Sequence, residues 1–177
     1  MKATDELIAR MTEWIERLTL KGVDVDIDTD PVNDPYPDYT VVWDATLCPK
    51  SLRKAYLNVY FSDDGGVGYI VEKRGRIAER LGLRCLEEFS QIGGYGTEPF
   101  CNPDADALVT LCTAISRGQL RGRAYRLGRY LVSAWVEPTI ELPEQSGNKL
   151  GSSAINDCLA FCGILHRIDL TYDAWDE

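Results

Sequence analysis

Val23-Asp24-Val25-Asp26-Ile27-Asp28-Thr29-Asp30 runs into Pro31-Val32-Asn33-Asp34-Pro35-Tyr36-Pro37-Asp38-Tyr39. Apolar and acidic residues alternate through the first segment, and no Lys or Arg appears in either. Successive side chains of a strand point to opposite faces, so the valines and Ile27 share one face and the aspartates the other. Aspartates two apart along such a strand lie about 7 Å from each other and repel unless cations are supplied from outside. Pro31, Pro35 and Pro37 exclude helix from the loop that follows and keep it extended.

Working outward, Leu7, Ile8, Met11, Trp14, Ile15 and Leu18 recur at helical spacing, which predicts a helix from Asp5 to Lys21. Gly22 stands where such a helix stops. After the proline loop, Tyr39 to Leu47 reads as a central strand, apolar on both faces around Trp43. Ala55 to Phe61 and Val67 to Lys73 alternate again, and Asp64-Gly65 between them is a hairpin signal. A helix is expected from Gly75 to Phe89, with Gly82 as a break, and another from Asp104 to Arg117. Arg121 to Val136 fits helical spacing in part, but its glycines and Tyr-Leu-Val-Ser-Ala-Trp-Val run favour strand, bent at Gly128. Pro138 to Gly151 reads as loop. Ser152 or Ser153 would cap a last helix running to His166, and Arg167 to Asp173 would close the chain as a strand. The expected fold is α+β: one domain over residues 1–177, with a mostly antiparallel sheet of about five to six strands and helices packed against it.

Hydrophobic residues make up 45% and charged residues 27%, which excludes wholesale disorder. A net charge of -9 argues against general affinity for nucleic acid or anionic membrane and suits a basic protein partner. Met1-Lys2-Ala3-Thr4-Asp5-Glu6 lacks the apolar run of a signal peptide and no stretch approaches a membrane span, so a cytoplasmic protein is expected. The six cysteines contain no CxxC pair, and reduced, mostly buried thiols are expected.

Several constellations have residue types that could carry chemistry. Asp24-x-Asp26-x-Asp28 imitates the opening of a calcium loop, but Thr29 replaces the glycine and Pro35 the glutamate that such a loop needs. Cys158, Cys162 and His166 fall four residues apart on the expected last helix, a metal-ligand spacing without a fourth ligand. Packing among Ile155, Leu159 and Leu165 is the simpler reading. His166 is the only histidine, no nucleophile elbow is present, and Cys101 is the most loop-like thiol. The glycine-bearing loops Gly93 to Thr97 and Ser146 to Ser153 lack Walker or dinucleotide spacing. Arg76 to Leu83 has the small-residue spacing of a helix-turn-helix unit, yet Arg84 to Phe89 would offer two glutamates to phosphate. Arg117, Arg121, Arg123, Arg126 and Arg129 are the one basic concentration, expected either to neutralise the acidic strand across the sheet or to meet an external phosphate.

No cofactor and no metal is expected, and the residues lean away from an enzyme. The leading expectation is an acidic protein-binding module, of the immunity or antitoxin type, that masks a basic toxin or nuclease. Its partner-binding residues would be Asp24, Asp26, Asp28, Asp30, Asp34, Tyr36, Asp38 and Tyr39. The alternatives are a small enzyme or ligand-binding domain with a pocket near Gly93 to Thr97, and a DNA-binding regulator.

Overall fold

The computed structural model describes residues 3–21, 23, 25–28, 41–62, 66–85, 91–92, 105–140 and 151–176. Helix α1 (Ala3–Leu20) lays Leu7, Met11, Trp14 and Ile15 into the core, the face its periodicity predicts. Strand β1 (Val25–Asp28) pairs antiparallel with β2 (Val41–Pro49), β2 with β3 (Leu57–Ser62) and β3 with β4 (Val67–Ile70). The β3–β4 pairing is the hairpin that Asp64-Gly65 signals, closed by Ser62 N–H donating to the Gly66 carbonyl at 2.9 Å.

The chain then leaves this sheet. Strand β5 (Glu72–Lys73) pairs with β7 (Gln91–Ile92), and helix α2 (Arg74–Arg80) follows β5 directly. Strand β6 (Arg84–Cys85), helix α3 (Ala105–Ser116), strands β8 (Leu120–Leu127) and β9 (Tyr130–Pro138), helix α4 (Gly151–Phe161) and strand β10 (His166–Thr171) complete the order. The fold is α+β, but the strands form sheets of four (β1-β2-β3-β4), four (β10-β8-β9-β6) and two (β5-β7), not one sheet of five to six. Alternation tells which face of a strand is apolar; it does not tell which strand lies beside it. Pairing is mostly antiparallel, with β6 and β9 parallel.

Two helices are shorter than their sequence patterns suggest. The helix expected to reach Phe89 ends at Arg80, where Leu83 N–H bonds the Ala78 carbonyl at 2.8 Å and Gly82 takes a φ of 64°. That left-handed glycine ends the helix outright, and residues 84–85 are strand; 86–89 lie outside the described residues. The helix expected to reach His166 ends at Phe161 on Gly163 (φ 75°), and His166 opens β10. Ser152 and Ser153 fall inside that helix and do not precede it as caps. Arg121 to Val136 is strand, as expected, with Gly128 (φ 57°) at the hairpin turn.

The core is continuous between both large sheets and α1, α2 and α3. Trp175 anchors the C-terminal segment within it: its ring lies 6.3 Å from that of Trp14, and its Nε1–H donates to the Ala55 carbonyl at 3.1 Å. Asp173 N–H donates to the Arg53 carbonyl and Trp175 N–H to the Ser116 carbonyl, tying the β2–β3 connection to the end of α3. No helix among the described residues is long and apolar enough to cross a membrane.

Candidate functional site

Residues directly opposite one another on antiparallel strands share a face of the sheet. In the first sheet Ile27 lies opposite Leu47, and Leu47 opposite Leu57; Leu47, Leu57, Val59 and Phe61 are fully buried against the core. The other face is polar. Asp26 is in register with Cys48, Asp28 with Thr46, Thr46 with Asn58, and Asp44 with Tyr60. Asp44, Thr46, Asn58 and Tyr60 therefore share one face of β2 and β3, and the backbone of β1 runs beside it with Asp26 and Asp28 in register with Cys48 and Thr46.

This surface has a built centre. Asp44 and Asn58 are both buried, and the Asn58 amide donates to the Asp44 carboxylate and, at 3.0 Å, to Thr46 Oγ1. A buried carboxylate without such a donor would cost several kcal/mol, on the order of the penalty for an unmatched charge. Gly68, opposite Tyr60, is what lets the tyrosine ring lie across the sheet: a Cβ there would stand 2.0 Å from Tyr60 Cζ.

Of the eight residues expected to bind a partner, Asp26 and Asp28 are in β1, in register with Cys48 and Thr46 of β2. Asp24, Asp30, Asp34, Tyr36, Asp38 and Tyr39 lie outside the described residues. Asp44, Thr46, Asn58 and Tyr60 form a polar group that the expectation did not include. The expectation that Tyr39 to Leu47 is apolar on both faces is corrected, because Asp44 and Thr46 form a polar face alternating with Trp43, Ala45 and Leu47. That signal was present in Trp43-Asp44-Ala45-Thr46-Leu47.

Arg121, Arg123 and Arg126 lie in the other large sheet and Arg117 and Arg129 in turns beside it, so none of them neutralises the acidic strand as its sheet neighbour. Strand β8 runs between β9 and β10. Arg121 is opposite Glu137 and donates to it from Nε at 2.6 Å. Arg123 is opposite Asp169, donates to Asp157 of α4 at 3.1 Å, and lies over the Trp135 ring at 5.4 Å. Arg126 donates to the Gly128 carbonyl, and Arg129 lies over Tyr130. Asp157 also accepts from the Tyr125 hydroxyl at 2.6 Å. Burial, first, and the Asp157 carboxylate push the Tyr125 phenol above its ordinary value. Cross-strand opposite charges of this kind contribute about 0.2–1 kcal/mol per pair.

A third polar group is internal. Glu72, on β5, is buried; its carboxylate accepts from Lys73 N–H at 2.9 Å and from Arg76 Nε at 3.1 Å. Arg76 also donates to the carbonyls of Pro49, Ser51 and Lys54, pinning the β2–β3 connection to α2. Burial outweighs these partners and raises the Glu72 carboxyl to about 7. Beside it, burial pushes the Tyr172 phenol up and the Glu72 charge adds to the effect.

Two of the remaining candidates, the cysteine–histidine grouping and the helix-turn-helix unit, are corrected by the fold. Cys158, Cys162 and His166 are not on one helix, because α4 stops at Phe161, and no cluster of three metal-ligating side chains exists among the described residues. Nor do they pack in a core: Cys158 and Cys162 are exposed, Ile155 is 64% exposed, and only Cys112 of the described cysteines is fully buried. The helix-turn-helix reading fails because α2 is followed by a strand, not by a second helix at Arg84. The loops at residues 93–97 and 146–150, and Cys101, lie outside the described residues. No protein-family model matches the chain, and neither the curated proteins nor the solved structures compared with it contain a match.

Proposed function

We propose that this chain is an acidic protein-binding module, an immunity- or antitoxin-type inhibitor that masks a basic toxin or nuclease. The observation that carries the reading is the separation of charges. Among the described residues the aspartate-bearing strand is the edge strand of one sheet, while Arg121 and Arg123 pair with Glu137, Asp157 and Asp169 around the other. A net charge of -9 then steers a cationic partner toward the chain. Asp26 and Asp28 stand in for the phosphates that a nuclease cleft recognises, and the Asp44–Asn58 pair stiffens the surface beside them. Stiffness matters because a preordered surface loses less entropy on association.

The test is association of the co-purifying basic protein with wild type and with the Asp24→Asn, Asp26→Asn, Asp28→Asn triple variant, at low and moderate salt. The expected result is a slower on-rate for the variant and a flatter salt dependence, with thermal stability retained. An unchanged on-rate with unchanged salt dependence would refute the proposal. So would the absence of any stoichiometric basic protein from native preparations of the wild type.

A further inference from the structure

Cys158 and Cys162 stand apart from the other described cysteines. Cys112 is fully buried in the core and its thiol is pushed up by burial; Cys48 and Cys85 are half-buried. Cys158 and Cys162 are exposed at the C-terminal end of α4. Cys162 N–H donates to the Cys158 carbonyl at 3.0 Å, so the two remain one helical turn apart although Cys162 lies past the last helical residue. Helical geometry sets their Cα atoms about 6.2 Å apart, inside the range of roughly 4.4–6.8 Å that a disulfide spans. Their Cβ atoms, about 5–6 Å apart in a regular turn, must close to about 3.5–4.5 Å. A mid-helix pair resists that movement. This pair sits where the helix already ends: Gly163 takes a φ of 75° and Ile164 N–H folds back to the Leu159 carbonyl at 2.9 Å.

The residue before Cys158 is Asp157, which receives the Tyr125 hydroxyl, Arg123 at 3.1 Å and Arg167 at 3.9 Å. The last turn of α4 thus connects two exposed thiols to the carboxylate that holds α4 on the β10-β8-β9-β6 sheet. We infer that Cys158 and Cys162 are a reversible dithiol switch that reacts with a small-molecule disulfide of the glutathione class, closes to a disulfide, and draws Asp157 away from Arg123 and Tyr125. One thiolate attacks the small disulfide and expels one thiolate of it. The second cysteine then attacks the mixed disulfide and expels the other. Two protein thiols are oxidised by two electrons, one small disulfide is reduced to two thiols, and both protons leave with them. Because closure distorts the turn, the product is readily reduced again.

The tryptic fragment Leu150 to Arg167 contains both cysteines and no other, so it reports this bond alone. Folded protein is incubated with oxidised glutathione, remaining thiols are alkylated, and the fragment is weighed without reduction. The expected result is loss of two hydrogens from that fragment ahead of oxidation at the other cysteines, abolished by Cys158→Ser and by Cys162→Ser. Amide exchange across Asp157 to Ile164 should rise in the oxidised protein and return to its starting rate on reduction. Stable glutathione adducts on both thiols, a disulfide that forms only in urea, or unchanged exchange in the oxidised protein would each overturn the switch.

Discussion

Replacing Glu72 with Gln should stabilise the protein at alkaline pH and have little effect at acidic pH. The carboxyl is buried and its folded value, about 7, lies above its unfolded value of 4.5. Its contribution to stability is therefore complete below the unfolded value and is lost as pH rises through about 7. By pH 5 the unfolded chain has already released most of this proton, while the folded one holds it until near 7. Integrating the two titrations gives a loss of about 2.5 kcal/mol from this group between pH 5 and 8. Gln keeps the shape and hydrogen-bonding capacity of the protonated side chain and cannot ionise, so the variant escapes the loss. The opposing effect is removal of the anion that faces Arg76, which can strand a charge. Here it does not, because Arg76 keeps the carbonyls of Pro49, Ser51 and Lys54 as acceptors. The measurement is urea unfolding of both proteins at pH 5 and pH 8, taking the difference in unfolding free energy at each. The gap should widen in favour of Glu72→Gln by about 2.5 kcal/mol. A gap that is the same at both pH values, or a variant that is less stable at pH 8, would refute the account of Glu72 as a carboxylate held against its desolvation.

Two further outcomes follow from buried groups. Trp175→Ala removes a ring that is 2% exposed and bonded to Ala55, and should cost about 3–5 kcal/mol in urea unfolding. Asn58→Leu takes the amide donor from Asp44 and should cost about 1–3 kcal/mol, with Asp44→Asn in the same chain recovering part of it in a double-mutant cycle.

Much of the architecture was legible in local pattern. The face of α1 follows from Leu7, Met11 and Trp14; the β3–β4 hairpin follows from Asp64-Gly65; and Val25 to Asp28 is strand because apolar and acidic residues alternate. The lengths of α2 and α4 were not, since their apolar spacing continues past the glycines that stop them. Gly82 and Gly163 end those helices by taking positive φ, and a sequence does not say which glycine in a run will do so.

By itself the sequence determined which strand carries the aspartates and that it is a strand, because side-chain alternation is a property of the backbone. Only the tertiary structure decided what shares a surface with it. Strand register sets Asp26 and Asp28 against Cys48 and Thr46, beside Asp44, Asn58 and Tyr60, residues at least sixteen positions away in the chain. The same pairing rules send Arg121 and Arg123 to Glu137 and Asp169 in another sheet. Charge attraction acts on neighbours, and neighbours across a sheet are chosen by hydrogen-bonded register and core packing, which no local pattern of Asp and Arg encodes.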